Sequence, residues 1–265
     1  MRHANHMPLE AKIMNYTANL LVLIFVVIIF STLVLLFIRL PIFTVKEIVL
    51  QGDAVKVSTL SIQSAVANKI SDGIFTVNLD ELKDAIESKP WVRQALVQRS
   101  FPNKLTVKIQ EHKAVALWGD EPDSRMVNNF GEIFEANRGE VENDVLVTLY
   151  GSDDRAKEVL SMYKALTNTL LPFKLSLSGL KMSHRATWIA QLDNGAILQL
   201  GSGDEASVIQ RTNDFLRTLP DVNDRLAKSL TNLEFADLRH KDGYAIRLKG
   251  VTTDFATAKA SAKAE

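Results

Sequence analysis

The sequence contains no cysteine. Without thiols the chain can form neither a disulfide nor a thiolate metal site, and it has no cysteine nucleophile. It also lacks an excess of either charge, because Lys plus Arg and Asp plus Glu both number 31 among 265 residues. A nucleic-acid-binding protein usually carries a basic excess or a basic stripe. The composition therefore argues against disulfide-stabilised scaffolds and against nucleic-acid partners.

The short motifs of common enzyme chemistry are also missing. No G-x-S-x-G or S-x-x-K motif stands where a nucleophile would need it. The loop GSGDE at 201–205 lacks the lysine of a phosphate-binding loop, and its acids would repel phosphate, so Asp204 is expected to cap a helix. The five histidines are scattered and form no H-x-x-x-H arrangement: His3, His6, His112, His184 and His240. We therefore expect no catalytic residue, metal, cofactor or small-molecule substrate.

One hydrophobic run is long. Residues 20–38 (LLVLIFVVIIFSTLVLLFI) contain 17 Leu, Val, Ile or Phe residues out of 19, and no charge occurs between Lys12 and Arg39. A helix of this length measures about 28 Å, close to the hydrocarbon thickness of a bilayer, which is about 30 Å. Pro41 follows where such a helix would stop. The pattern predicts a membrane-spanning helix over 20–39.

Two other interpretations of this run fit the sequence less well. A core helix of a soluble protein is seldom apolar on every face over this length. A cleaved signal peptide has a shorter apolar region followed by small residues, whereas here the chain continues FIRLPIFTV. Charge alone leaves the orientation open, because Arg2 and Lys12 precede the run and Arg39, Lys46 and Lys56 follow it.

The region 43–113 predicts a small domain with the element order β-α-α-β-β. FTVKEIVLQG is typical of a strand that ends in a turn glycine, and LTVKIQ alternates apolar and polar residues as a half-buried strand does. Between them, two amphipathic helices are expected to begin at the N-caps Ser58 and Asn78, the second in a capping box with Glu81. ALVQRSF is the remaining strand, and FPNK is the turn that follows it.

The region 114–250 predicts a larger, mostly antiparallel β domain with two helices, so that the overall class is α+β. Its best hairpin is TWIAQL-DNG-AILQL, since the turn residues 193–195 tolerate positive φ. Amphipathic helices are expected over 155–171 and 205–220. The last strand is GYAIRLK, in which large apolar residues recur at every second position. The small and polar residues 251–265 predict a disordered tail.

Several motifs of these two regions together resemble the FtsQ/DivIB family of bacterial cell division proteins. They are FTVKEIVLQGD after the apolar run, FTVNLDELKDAIESKPWVRQA at 75–95, RSFPNKLTVKIQEHKAVALW at 99–118, VNNFGEIF at 127–134, RATWIAQLDNG at 185–195 and ADLRHKDGYAIRL at 236–248. The likeness extends from about residue 18 to residue 250 in the right order. It implies that the region 43–113 is a POTRA domain, a small fold used in protein–protein contacts.

The resemblance also implies a function and an orientation. Residues 1–19 would be a cytoplasmic tail and both domains would be periplasmic, in a single-pass protein of the bacterial inner membrane that is enriched at the division septum. Members of this family act as non-enzymatic scaffolds that bind the small coiled-coil membrane proteins FtsB and FtsL and connect early and late division proteins. The POTRA domain is linked to recruitment to the septum, and the last strands to FtsB binding.

Mapped onto this chain, the family's partner surface would combine Arg185 with the last strand and the loop before it: His240, Asp242, Gly243, Tyr244, Ile246, Arg247, Leu248 and Lys249. A terminal strand leaves one row of N–H and C=O groups with which a strand from another chain can pair. Outward side chains such as Arg247 would set specificity, and acidic partner residues would suit Arg247 and Lys249. An edge strand protected by its own charges is the alternative interpretation.

The chain departs from the family pattern at two positions. Relatives often have proline where this chain has Ala114, and tyrosine where His240 follows Asp-Leu-Arg, which leaves that detail of the partner contact open. The alternative function is a POTRA-type adaptor in secretion or outer-membrane assembly, but no series of membrane strands of about ten residues occurs here. A membrane-tethered cell-wall enzyme would need a nucleophile–base pair or perturbed acids in a cleft, which the sequence does not supply.

Overall fold

The computed structural model describes residues 9–52, 55–70, 73–119, 125–141, 146–225, 232–240 and 243–250. The chain divides into two compact units, residues 1–111 and 112–265. Predicted features that fall on other residues, among them Asp242 and the tail 251–265, lie outside the described residues.

The N-terminal unit begins with α1 (Leu9–Ile38), a helix of 30 residues. Its segment Ile13–Ile38 is long and apolar enough to cross a membrane, and none of it is buried. The helix begins 11 residues before the apolar run because the preceding sequence LEAKIMNYTAN contains several good helix formers. At about 45 Å, α1 is longer than the hydrocarbon core of a bilayer, so its first turns extend past it.

The rest of this unit has the predicted order β-α-α-β-β: β1 (Glu47–Gln51), α2 (Thr59–Val66), α3 (Leu79–Glu87), β2 (Val92–Ser100) and β3 (Lys104–Glu111). The sheet order is β1-β3-β2, with the central β3 parallel to β1 and antiparallel to β2. The short FPN turn makes β2 and β3 an antiparallel hairpin, whereas β1 is separated from them by both helices and can therefore pair in parallel.

Both helices begin at the predicted N-caps. The Ser58 hydroxyl oxygen accepts the Ser61 N–H at 3.1 Å, and the Asn78 side-chain oxygen accepts those of Asp80 and Glu81 at 3.1 and 3.4 Å. The Asn78 amide nitrogen also donates to the Glu81 carboxylate at 2.9 Å, a side-chain version of the expected capping box. The helices and strands share a core of buried apolar residues: Ile62, Val66, Leu82, Ile86, Leu105, Val107 and Ile109.

The C-terminal unit consists of β4 (Ala114–Trp118), β5 (Arg125–Asn128), β6 (Ile133–Glu135), β7 (Val147–Tyr150), α4 (Ala156–Leu170), β8 (Leu177–Met182), β9 (Thr187–Leu192), β10 (Ile197–Ser202), α5 (Glu205–Arg225), β11 (Leu233–Asp237) and β12 (Ala245–Leu248). Within the described residues these strands form one sheet in the order β12-β11-β10-β9-β8-β7-β4-β5-β6. Five of its eight strand pairs are antiparallel. The predicted α+β class with a POTRA domain and a larger mixed β domain is confirmed.

Helices α4 and α5 determine the position of the last strand, β12, in the order of this sheet. Each connects two parallel neighbours, α4 between β7 and β8 and α5 between β10 and β11, because a parallel pair needs a crossover. After α5 the chain returns beside β10, and β12 then folds back antiparallel on β11. The helices and the sheet enclose the core of the unit, which includes Trp118, Leu149, Leu166, Leu180, Trp188, Leu198, Phe215, Leu219 and Leu248.

Candidate partner-binding edge

The outermost strand on one side of the nine-stranded sheet is β12. It pairs antiparallel with β11, with Arg247 opposite Phe235 and Ile246 opposite Ala236. In the part of the chain that the structure describes, no strand lies on its other side. A strand in this position leaves one row of backbone N–H and C=O groups without a ladder partner. Such a row can accept a strand from another chain.

The hydrogen bonds around β12 indicate which of its amides face outward. The Lys249 N–H donates to the Asn232 carbonyl at 2.8 Å, on the β11 side. Successive strand residues direct their N–H groups to opposite sides. The N–H group of Arg247 therefore points toward β11, as that of Lys249 does. The N–H groups of Ile246 and Leu248 point away from β11, toward the open edge.

The side chains of β12 alternate between the two faces of the sheet. Leu248 is buried and Ile246 is half-buried, and both pack against the hydrophobic core. Arg247 is exposed on the opposite face, where its guanidinium carbon lies 5.9 Å from the centroid of the Phe235 ring. This cation–π contact favours a position of the guanidinium over the sheet face. The open backbone edge is thus flanked by a positive charge.

A groove of about 220 Å³ lies between α5 and the residues Leu238, His240, Gly243 and Tyr244. Tyr244 forms part of its wall: its ring meets Phe215 edge-on with centroids 4.9 Å apart, and its hydroxyl lies 2.7 Å from that of Thr218. Tyr244 therefore anchors to α5 the segment that leads into β12. The groove is also lined by Arg211, Asp214, Leu238, His240 and Gly243.

Asp237 and Arg239 form an ion pair at the end of β11. The Arg239 side chain donates to the carboxylate of Asp237, with Nη2 2.6 Å from Oδ2 and Nε 2.9 Å from Oδ1. These side-chain hydrogen bonds from Arg239 lower the pKa of Asp237 to about 2, although burial of the carboxylate acts in the opposite direction. Asp237 is therefore ionised at neutral pH, and its charge compensates that of Arg239.

A further arginine reaches the same end of the sheet. Arg211 of α5 donates to the Ser202 carbonyl at 2.6 Å. A Cβ atom on Gly201 would lie 3.2 Å from Cγ of Arg239 and 3.4 Å from Nη1 of Arg211. Gly201 has a φ of +81°, and the absence of a side chain lets both arginines pass the end of β10.

Arg185 lies in the turn between β8 and β9 and is exposed. Thr187, the first residue of β9, pairs with Ser202 at the end of β10. Since β10 and β11 are parallel, this turn lies at the same end of the sheet as the end of β11 and the start of β12. Neighbouring strands are about 4.8 Å apart, so β9 and β12 are separated by roughly 14 Å. One extended partner segment can span that distance.

Most of the predicted partner-binding residues that the structure describes lie at one edge of the unit, whereas Arg185 lies in the turn before β9, three strands away from β12. His240 and Gly243 line the groove together with Tyr244. Ile246, Arg247 and Leu248 lie in the edge strand, and the exposed Lys249 follows it. Asp242 lies outside the described residues.

Sequence reasoning did not single out the contribution of α5. Arg211, Asp214 and Thr218 line the groove, and their spacing of three and four residues places them on one face of the helix. Phe215, Leu216 and Leu219 of the same helix are buried in the core. The polar stripe beside that apolar face is the signal that marks the groove residues.

The described residues contain no group of three or more histidine, aspartate or glutamate side chains that could hold a metal ion. Of the histidines, His112 contacts Asn128, with 2.9 Å between the Nδ1 and Nδ2 atoms, and its ring stacks on Phe134 at a centroid distance of 4.2 Å. Both contacts are with residues of the C-terminal unit, so the His112 side chain contributes to the packing of that unit. His184 and His240 are exposed.

Two protein-family models match the chain. The first, "POTRA domain, FtsQ-type", matches residues 43–112, and the second, "Cell division protein FtsQ/DivIB, C-terminal", matches residues 116–239. The second match ends at Arg239, so Tyr244 and β12 lie beyond it.

Relatives from several bacteria carry the name "Cell division protein FtsQ". The chain is 33% identical to that of Burkholderia pseudomallei over 219 residues, which are 80% of this chain and 82% of the relative. It is 30% identical to that of Bordetella pertussis over 266 aligned positions, 94% and 95% of the two chains. For Thiomonas arsenitoxydans the identity is 31% over 210 residues, 78% and 76% of the two chains. The chain therefore belongs to the FtsQ/DivIB family of cell division proteins.

Proposed function

We propose that this chain is a non-enzymatic scaffold of the division machinery that binds FtsB and FtsL and links early and late division proteins at the septum. Family membership supports the role in cell division, and α1 supports a single span in the inner membrane. In this proposal the N-terminal tail is cytoplasmic and both folded domains are periplasmic, where they meet the periplasmic parts of their partners.

The observation that supports binding by strand addition is the open edge of β12. A strand of FtsB pairs with this edge, accepting hydrogen bonds from the outward N–H groups of Ile246 and Leu248. Backbone pairing of this kind supplies affinity with little dependence on the partner's sequence. The groove beside Tyr244 adds selectivity, because it can receive one side chain of the partner next to the added strand.

Charge supplies further selectivity. Arg247 and Lys249 are exposed along the edge, and the exposed Arg185 lies at the end of the sheet where β12 begins, opposite to the end at which Lys249 lies. A partner segment with acidic residues beside its pairing strand would be attracted to these cations and oriented in one register. The proposed partner surface thus combines a backbone edge, a groove and a set of positive charges.

The substitution Ile246→Pro tests strand pairing. Proline removes the outward N–H of residue 246 and leaves the hydrogen bonds from β12 to β11 in place. Ile246→Ala is the matched control, because it removes most of the same half-buried side chain but keeps the N–H. We expect Ile246→Pro to weaken FtsB–FtsL binding by about tenfold or more relative to Ile246→Ala, as a lost hydrogen bond and a blocked strand edge combine.

The measurement is co-purification of FtsB and FtsL with the full-length variants from membranes, together with circular dichroism of each variant. Equal binding of the two variants would overturn strand pairing at β12. The division role is tested separately by depletion in the native cell, where long undivided filaments are expected. Normal division with loss of outer-membrane proteins would instead support the adaptor function.

A further inference from the structure

Four phenylalanine rings form a continuous chain in the N-terminal unit. The ring centroids of Phe37 and Phe43 are 5.2 Å apart, those of Phe43 and Phe75 are 5.0 Å apart, and those of Phe75 and Phe101 are 5.4 Å apart. We call these four residues the phenylalanine chain. It connects the last turn of α1 with the turn between β2 and β3.

The phenylalanine chain starts inside the membrane-spanning segment. Phe37 is the residue before the last of α1, and Phe43 ends the short 3-10 helix Pro41–Phe43 that follows. Backbone hydrogen bonds hold this exit segment to the folded domain: the Lys46 N–H donates to the Asn103 carbonyl at 2.9 Å, and the Ile74 N–H donates to that of Phe43 at 2.8 Å. The β2–β3 turn is therefore tied to the point where the chain leaves the bilayer.

The end of the phenylalanine chain formed by Phe75 and Phe101 is exposed, and hydrogen bonds to the neighbouring backbone hold Phe75 in this position. Phe75 is 39% exposed and Phe101 is 61% exposed, whereas Ile74 and Val77 are buried. The Arg99 guanidinium donates to the carbonyls of Ile74 at 2.7 Å and Val77 at 2.8 Å. These bonds fix the backbone on both sides of Phe75, so its ring cannot turn into the core while its neighbours fill it.

We propose that the phenylalanine chain seats this end of the domain in the interfacial layer of the lipid bilayer, with Phe75 and Phe101 among the lipid headgroups. Phenylalanine is among the apolar residues with which membrane-surface segments enter the boundary between headgroups and acyl chains, and the headgroup layer adds roughly 5–7 Å on each side of the hydrocarbon core. The apolar surface continues from the membrane span through Leu40 and Ile42, which are 45% and 54% exposed. This continuity with α1 identifies the bilayer as the occupant.

Cations at the exit segment fit the same placement. Arg39 directly follows α1 and Lys46 precedes β1, and both are exposed. Long basic side chains near a helix end reach lipid phosphates while their aliphatic stems stay on apolar surface. The domain would then be held to the membrane surface by contacts besides its covalent link to α1. This inference is independent of the proposed binding at β12.

The chain has no cysteine, so single cysteines can be introduced for spin labels without further changes. Phe101→Cys and Phe75→Cys report on the phenylalanine chain. Leu96→Cys is the matched control, because Leu96 is 51% exposed on the same strand β2. It lies roughly 16 Å along the strand from residue 101. The labelled full-length chain is reconstituted into phosphatidylcholine–phosphatidylglycerol vesicles at a low protein-to-lipid ratio.

Electron paramagnetic resonance then compares the accessibility of each label to oxygen, which partitions into the bilayer, with that to a water-soluble nickel chelate. Labels at 75 and 101 are expected to be more accessible to oxygen than to the chelate, and the label at 96 is expected to show the reverse order. Chelate access at 75 and 101 equal to that at 96 would overturn the inference. Protection that disappears on further dilution with lipid would also overturn it, since a second copy of the chain would then be the occupant.

Discussion

Arg239 and Asp237 form a two-residue clamp at the point where the chain leaves β11 for the edge strand. The Arg239 side chain approaches both carboxylate oxygens of Asp237, and its backbone N–H also donates to Oδ1 at 3.0 Å. Asp237 is only 7% exposed, and Ala245, the first residue of β12, lies opposite it in the ladder. The clamp therefore fixes the backbone around Leu238 and His240, which line the groove.

We expect Asp237→Asn to lower the free energy of unfolding of the C-terminal unit at pH 7. The pKa of Asp237 is about 2 in the folded chain, whereas that of an aspartate in an unfolded chain is about 3.9. A carboxyl whose pKa falls on folding stabilises the folded state above its unfolded pKa. That contribution is lost as the pH falls from about 4 to about 2.

Urea denaturation of both proteins between pH 7 and pH 2 measures this effect. The difference between wild type and Asp237→Asn is expected to be constant down to about pH 4 and then to shrink. Asp193→Asn is the control, because Asp193 is exposed in the β9–β10 turn, where asparagine is equally suitable. A difference that stays the same at pH 7 and pH 2 would show that the charge of Asp237 is not the cause.

Arg247→Glu is expected to weaken FtsB–FtsL binding by about tenfold, mainly through slower association, with an effect that decreases as salt is added. The physical reason is that a negative charge replaces the cation beside the open edge. The fold should persist, since the Arg247 side chain is exposed and contributes to no buried cluster. Binding kinetics at two salt concentrations and a melting temperature for each variant provide the measurement.

Lys181→Glu serves as the control for Arg247→Glu. Lys181 is an exposed cation on the same sheet, with Nζ 5.5 Å from the centroid of the Tyr150 ring, but it lies in β8, away from the edge. The two substitutions thus make the same charge change and remove the same kind of cation–π contact. Normal binding by a folded Arg247→Glu protein with a lowered melting temperature would assign Arg247 a structural role only.

The parts of the fold that were predictable from sequence depend on local signals. The N-caps Ser58 and Asn78 mark helix starts because their side chains bond to amides two or three residues away. The turn at 193–195 was predictable for the same reason: Gly195 has a φ of +86°, and Asn194 accepts the Ala196 N–H at 2.9 Å. These interactions are complete within a few residues of the chain.

Two strands and the order of the sheet were not predictable in this way. β8 contains Gly179, and β11 is a five-residue strand with two acidic residues, so neither has a clear alternating pattern. β11 is stabilised by its position between β10 and β12, and that position depends on the crossover through α5. Pairings between strands far apart in sequence leave no periodic signal. For this reason the groove residues of α5 were also missed, although the edge position of the last strand was expected.

Glu111 illustrates how a residue within a family motif can have an unrecognised role. It ends β3, and its carboxylate accepts the N–H groups of three consecutive residues: Val55 at 3.0 Å, Lys56 at 2.9 Å and Val57 at 2.7 Å. Both carboxylate oxygens take part. Three successive amides that converge on one anion hold the segment before α2 against the end of the central strand.

We expect Glu111→Gln to release this segment. A glutamine presents one acceptor oxygen and an NH₂ group, so at least one of the three amides loses its partner and faces another donor. The cost of such a loss is about 1–3 kcal/mol, which corresponds to roughly 5- to 150-fold faster hydrogen exchange if the segment opens locally. Hydrogen–deuterium exchange of the full-length chain in detergent measures this for the amides of residues 55–57.

Glu47→Gln is the matched control, since it makes the same chemical change in the same unit. Glu47 is 52% exposed and pairs with Lys104 at 2.6 Å, and an exposed ion pair of this kind contributes little to stability. Exchange at residues 55–57 should therefore be unchanged in Glu47→Gln and faster in Glu111→Gln, while the amides within α2 keep their protection in both. Equal exchange at 55–57 in the two variants would mean that backbone contacts, and not the Glu111 carboxylate, hold this segment in place.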